Sequence, residues 1–333
     1  MDFTLSPDQE LLRDTGRALV REHCPASLVR AYAEDPSVAD DLTARLSEFA
    51  GLVAGPAVDL CLFLEEMGAA LVPGPFVPTV AAFAPIVAAV GANDVFESVA
   101  AGEATGTVWS PSPVELHAPA GDRVEFVAIA VEGGDICVTD QFELAPLEVF
   151  DLSRPQFDAK VFDAKVFDAK VTGDSGTIGH GSYAALYRAT VAFSAELIGT
   201  TRWMFETTLE YVKTREQFGR PIGSFQALQH RLADMSLLYE RAWSSVYWAA
   251  MAIDADDDEQ HRAVHVAKSS ASEAARHIAG EAVQMHGGIG VTWDHDLHLY
   301  MRRAFMSEEV LGTTAWHRAR LADLVLQEGG QHE

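Results

Sequence analysis

Apolar residues recur at helical spacing at both ends of the chain, while a middle stretch alternates apolar with polar. Ser6 precedes Pro7, and Gln9 stands three residues after the serine, so Ser6 reads as the cap of a first helix. That helix would bury a stripe containing Leu11, Leu12, Leu19 and Val20. A second helix is predicted over Ala39 to Phe49, and a third from about Ala57 to Leu71 through Leu60, Leu64 and Met67. The stretch Val72 to Thr79, VPGPFVPT, holds three prolines and is expected to break the chain. A helix pair is expected from Thr79 to Ala101.

Near Gly102 the pattern changes to short alternating runs rich in Pro, Gly, Asp and β-branched residues. Val124 to Val127 and Ile136 to Val138 read as strands, with Gly133-Gly134-Asp135 as a hairpin turn between them. FDAKV then occurs three times in succession, starting at Phe157, Phe162 and Phe167. A five-residue repeat flips the buried face of a strand at every copy and turns a helix face by about 140°. A tandem duplication carried in a surface loop is therefore expected. From about Gly181 four long amphipathic stretches follow: to Thr214, Ser224 to Ile253, Glu259 to Met285, and Asp294 to Leu326. The breakers between them are Gly219 to Gly223, Asp254 to Asp258 and Gly287 to Gly290. Long helices with short connectors predict an antiparallel four-helix bundle. The expected fold is mainly α with a small β domain: an N-terminal helical domain over 1–102, a reduced β domain over 103–178 and a C-terminal bundle over 179–333.

Composition narrows the function. A chain of 333 residues can bury a sizeable core. A net charge of −25 argues against nucleic acid and anionic membranes as partners. A polyanionic ligand would need local basic groups working against that field. The three cysteines, Cys24, Cys61 and Cys137, are far apart and form no CxxC, so reduced thiols are expected. The N-terminus has no basic or apolar leader pattern. The longest apolar run, Val77 to Val90, is short and interrupted by Pro78 and Pro85, so no membrane span and a cytoplasmic location are expected. His261 and His265 stand one helical turn apart but lack a third ligand, so no metal is expected. Asp294, His295, Asp296 and His298 form a looser cluster, in which Asp294 reads as a helix cap. Trp243, Tyr247 and Trp248 read as bundle core or subunit interface.

Two motifs carry the chemistry. YVKTREQFGRPIGSFQALQHRLADM, Tyr211 to Met235, resembles the signature of acyl-CoA dehydrogenases, and EAVQMHGGIG, Glu281 to Gly290, resembles their second signature. The domain order matches as well. The resemblance implies FAD as cofactor and an acyl-CoA as substrate. It implies that Arg215 pairs with the pyrophosphate of the adjacent subunit's FAD, that Phe218 packs on it, and that Gln284, Gly287 and Gly288 hold it. A guanidinium fork suits phosphate oxygens, and glycines admit close backbone approach.

The chain departs from the family at the base. Family members remove the substrate α-proton with a glutamate just before a Gly-Thr pair. Here Leu311 precedes Gly312-Thr313. The alternative base position, in the first long helix, is Ala189. Neither accepts a proton. Ala315 replaces a glutamine that contacts the subunit's own FAD, and the loops that cradle the flavin ring are missing. The residues serving a neighbour's FAD persist, while those serving an own flavin are gone. This resembles the smaller subunit of α2β2 steroid-CoA dehydrogenases, in which FAD is shared and a larger subunit carries the base. The resemblance further implies an electron-transferring flavoprotein as electron acceptor. Two rivals stand beside it: a self-sufficient enzyme with its base displaced to Glu308 or Glu309, and a non-catalytic scaffold that keeps only the bundle fold.

Overall fold

The computed structural model describes residues 3–110, 116–130, 136–161 and 180–329. The chain opens with α1 (Pro7–His23), α2 (Ala26–Tyr32), α3 (Asp40–Ser47) and α4 (Ala57–Ala69). The Ser6 cap forms as a reciprocal pair: Gln9 N donates to Ser6 Oγ at 3.2 Å, and Ser6 N donates to Gln9 Oε1 at 3.1 Å. The proline-rich stretch is a shorter break than expected. A helix already restarts inside it as α5 (Phe76–Pro78), passes through a π-helical turn (Thr79–Phe83) and continues as α6 (Ala84–Ala89). Pro78 sits in the first turn, where a missing N–H costs nothing. The region ends with α7 (Asn93–Ala100).

The β part holds a four-stranded sheet of order β2-β1-β3-β4. Its strands are β1 (Gly106–Ser110), β2 (Leu116–His117), β3 (Phe126–Ala130) and β4 (Ile136–Thr139). β1 runs parallel to β3 and antiparallel to β2, and β3 pairs antiparallel with β4 in the register Val127↔Thr139. The expected turn at Gly133-Gly134-Asp135 lies outside the described residues. A separate ribbon joins β5 (Phe142–Pro146) to β6 (Phe157–Val161). The first FDAKV copy is therefore a strand and not a surface loop: Phe157 turns into the core and Leu144 pairs with Ala159. The copies starting at Phe162 and Phe167 lie outside the described residues.

The bundle follows, with α8 (His180–Thr214), α9 (Gln226–Asp254), α10 (Gln260–His286), α11 (Leu297–Glu309) and α12 (Thr314–Gly329). A two-residue hairpin, β7 (Glu216–Gln217) with β8 (Arg220–Pro221), links α8 to α9. The expected fourth long helix is in fact two. It breaks after Glu309 because Leu311 (φ 58°) and Gly312 (φ 106°) turn left-handed, and Thr313 Oγ1 then caps α12 by accepting from Trp316 N at 3.1 Å. It also begins later than expected, at Leu297, and Asp294 does not cap it. Asp296 instead pairs with Arg30 at 2.6 Å.

The N-terminal helices lock onto the bundle where α4 crosses α8. A Cβ on Gly68 would sit 1.8 Å from the Glu196 carbonyl oxygen, and one on Gly199 would sit 1.8 Å from that of Glu65. Only glycine permits so close a backbone crossing. Beside it Glu65 and Glu66 are buried against Arg202, whose Nη2 reaches Glu66 at 2.8 Å. Tyr247 donates its hydroxyl to Glu65 at 2.7 Å, so this aromatic belongs to the core. Cys24, Cys61 and Cys137 are buried and form no disulfide among the described residues. No helix among the described residues is long and apolar enough to cross a membrane.

Candidate functional site

The two motifs meet at one end of the bundle. Tyr211, in the last turn of α8, stacks on His286, the last residue of α10, at 4.2 Å and 22°. Its hydroxyl donates to the His286 carbonyl at 3.4 Å. Arg231 on α9 pairs with Glu281 on α10 and ties in the third helix. This brings Arg215, Phe218, Gln284, Gly287 and Gly288 to one exposed end.

Arg215, Phe218, Gln284, Gly287 and Gly288 are all exposed, and among the described rings that of Phe218 meets only Phe225, edge-on at 6.0 Å. Arg215 N donates to Tyr211 O, and Ile222 N to Arg215 O, both at 2.8 Å. No carboxylate or other side chain engages the Arg215 guanidinium among the described residues. That is unusual in a chain with 49 acidic and 24 basic residues. Phe218 and Gly219 form the hairpin tip, both with positive φ (56° and 80°). A left-handed phenylalanine costs on the order of 1–2 kcal/mol, and this one is also 90% exposed. Water gives no return for that strain, which marks the tip as a contact surface. Gly287 closes α10 at φ 65°, ψ −147°, a conformation reserved for glycine, and its N–H donates to Val283 O. A Cβ on Gly287 or Gly288 would meet nothing within 4 Å, so the backbone there is open to approach.

The carbonyl ends of α8 and α10 carry partial negative charge at this place. Arg215, with Arg220 stacked over Phe225 at 4.1 Å, supplies the positive charge that an anion would require. An unpaired guanidinium, an exposed ring and an open glycine pair together fit the adenosine-diphosphate part of a dinucleotide.

The stretch of α8 from Ala189 is closed. Ala189 is 0% exposed and Leu311 is 1% exposed. The Leu311 turn is nevertheless tightly held. His317 Nε2 donates to Leu311 O at 3.0 Å, which leaves His317 Nδ1 to accept from His265 Nδ1 at 2.8 Å. Burial pushes His265 down to about 4 and His317 to about 3, so both are neutral at physiological pH. Lys268, fully enclosed, donates to the carbonyls of Ser307 (2.7 Å) and Glu308 (3.2 Å) and caps α11; burial pushes it down to about 7. Glu308 is engaged by Arg276 at 2.7 Å, whereas Glu309 is exposed.

Glu309 reaches the lip of a cavity of ≈ 210 Å³ between the β part and the helices, walled by Leu116, His117, Gln156, Phe193, Met306 and Val310. Sites for drug-sized ligands span about 300–1,000 Å³, so this one is too small for a CoA thioester. Behind it lies a buried ionic cluster. Arg154 grips Glu196 with both nitrogens, and Arg303 bonds Glu196 (2.8 Å), Asp151 (2.5 Å) and Ser153 Oγ (2.9 Å). Burial alone would raise the two carboxyls; the guanidiniums outweigh it and hold Asp151 and Glu196 below the usual carboxylate range.

The sequence motifs thus locate the exposed end, and both substituted base positions fall in the closed one. The ionic cluster and the Lys268–His265–His317 group were missed. A lone lysine inside the small-residue run Val266 to Ala275 was the available signal for Lys268. His261 bonds Tyr187 and not a metal site, and no cluster fit to hold a metal occurs among the described residues.

Comparison with known proteins agrees with this architecture. Residues 182–326 match the family described as "Acyl-CoA dehydrogenase, C-terminal domain". The acyl-CoA dehydrogenase IpdE2 of Mycolicibacterium smegmatis is 34% identical, over 92% of this chain and 96% of that protein. In fold, the chain resembles one from the ChsE4–ChsE5 complex of Mycobacterium tuberculosis, with TM-score 0.83, 22% identity, and 98% of this chain and 99% of that one covered. It resembles a chain of the steroid ACAD Tcur3481–Tcur3483 equally well, with TM-score 0.83 and 22% identity, over 98% of this chain and all of that one. Fold and motifs together define an acyl-CoA dehydrogenase architecture. The chain belongs to the acyl-CoA dehydrogenase family, a family of oxidoreductases.

Proposed function

We propose that this chain is the base-lacking subunit of a heteromeric acyl-CoA dehydrogenase. It completes the FAD site of a larger partner subunit that carries the catalytic glutamate. One observation carries this reading: Arg215, Phe218, Gln284, Gly287 and Gly288 stand exposed at one end, while Ala189 and Leu311 are buried. FAD, when bound, supplies the hydride acceptor for formation of an α,β double bond. Arg215 neutralises pyrophosphate charge, Phe218 packs its ring on the cofactor and excludes water, and the Gly287–Gly288 backbone admits close approach. The substrate is a bulky, steroid-derived acyl-CoA held mainly by the partner, in an α2β2 assembly. Electrons pass on to an electron-transferring flavoprotein in the cytoplasm. Support for a paired, steroid-directed enzyme comes from the names of the ChsE4–ChsE5 complex and the steroid ACAD.

The test is FAD per chain, by flavin absorbance, for the protein alone and co-expressed with a candidate larger dehydrogenase chain that keeps the catalytic glutamate. Little flavin alone and about one FAD per heterodimer together is expected. Arg215→Ala should weaken FAD retention by the complex at least tenfold, through loss of a charged hydrogen bond worth about 1.5–3 kcal/mol. A full complement of FAD in the lone protein would overturn the reading. One observation favours a second reading. Glu309, unlike Glu308, is unengaged and lines the cavity, so a displaced base would be Glu309. Turnover by the lone protein, lost on Glu309→Gln, would establish it.

A further inference from the structure

Trp293 projects from the chain just after the Gly287–Val291 turn and is 61% exposed. Its ring lies 5.9 Å from each of two guanidiniums, Arg30 and Arg302. Arg302 in turn lies over Phe150, 44% exposed, at 4.7 Å and donates to the Phe150 carbonyl at 3.1 Å. The patch joins all three parts of the fold: α2 through Arg30, the segment after β5 through Phe150, and the bundle through Trp293 and Arg302.

The two arginines differ. Arg30 is committed to Asp296 at 2.6 Å and to the Trp293 carbonyl at 2.8 Å. Arg302 has no carboxylate among the described residues, and its Nε is buried without a partner. In a chain of net charge −25, where most buried arginines sit on carboxylates, a guanidinium that meets only a carbonyl and two aromatic faces suits an acid from outside.

We infer that the surface around Trp293, Arg302 and Phe150 is the docking anchor for the partner subunit, which places a carboxylate on Arg302 beside an apolar recess for the Trp293 ring. This rests on the shared-FAD reading and deepens it by naming where the partner holds on. Trp293 follows the Gly287–Gly288 pair on one continuous turn, so a subunit seated here brings its cofactor to the half-site. Charge decides against a second copy, because a self-contact would set one strongly acidic chain against another. Trp and Arg also dominate the energetic centres of interfaces, and an aromatic flanked by guanidiniums is such a centre.

The test measures assembly and flavin separately. Wild-type chain, Trp293→Ala and Arg302→Glu are each titrated with the larger dehydrogenase chain in analytical ultracentrifugation, with Leu237→Ala on exposed α9 as control. Thermal melts of the lone variants establish that they fold. Expected is a loss of affinity of roughly 30-fold or more for Trp293→Ala and for Arg302→Glu, with the control unchanged. Wild-type affinity in both variants overturns the inference and leaves the shared-FAD reading standing. Assembly that both variants weaken, with no FAD in the wild-type complex, supports the docking anchor and sinks the shared-FAD reading. A lone-chain dimer dissociated by Trp293→Ala identifies a second copy as the occupant and overturns the inference. Absence of any wild-type assembly overturns both.

Discussion

The two ends of α8 are built on opposite principles. At its C-terminal end, polar and apolar side chains stand exposed, and the hairpin tip holds a phenylalanine in a strained conformation. Around Ala189 and Glu196 charges are paired, the cavity lined by Phe193 is small, and the nearby Leu311 turn is held by the buried His317. A protein kept only for its fold has no reason to maintain the first end. A self-sufficient enzyme has no reason to fill the second. On the proposed reading, function belongs to the exposed end and stability to the closed one, and substitutions should separate accordingly.

The largest effect is expected inside. Glu196→Ala leaves Arg154 and Arg303 buried without their shared carboxylate, which should cost about 3–5 kcal/mol in urea unfolding. The same substitution should leave FAD capture by any surviving folded complex intact. Loss of FAD with unchanged stability would break the assignment of roles to the two ends.

An intermediate effect should come from pH. His265 and His317 have folded values near 4 and 3, against an unfolded value near 6.5. As pH falls below 6.5 the unfolded chain gains protons that the folded chain refuses, so stability falls. The pair should cost about 2 kcal/mol between pH 6.5 and 5.5. The Asp151 and Glu196 carboxyls, held below the usual range, lose their contribution only at lower pH. Urea midpoints across that window, for wild type and His265→Leu, test the sign and the source.

The smallest effect has the opposite sign. Phe218→Gly removes the left-handed strain and should stabilise the chain by about 0.5–1 kcal/mol while weakening FAD retention by the complex. A variant both less stable and fully competent in FAD capture would show that the ring serves the fold.

Much of the local structure was legible in the sequence because its causes are local. The Ser6 box and the long bundle helices follow from neighbours within a few residues, whereas the strand expected over Val124 to Val127 lies at Phe126–Ala130 and is buried on three consecutive residues instead of alternating. The two motifs at the exposed end were legible because each is one long continuous run. The break at Leu311 was not, since nothing in a leucine announces a left-handed backbone that His317 holds from the next helix. The Arg303–Glu196 pair spans 107 positions, and spacing says nothing at that range. The restart at Phe76 was hidden because prolines that break a helix interior also suit its first turn.

The crossing of α4 over α8 also bears on recombination. Gly68 and Gly199 each face the other helix's main chain with no room for a methyl group. A chimera that takes its N-terminal helices from one relative and its bundle from another must therefore carry glycine at both places. A single alanine at either would push the two rods apart and shift the whole N-terminal block against the bundle. For anyone grafting a new front half onto this chain, those two positions are the gauge to which both pieces must be cut.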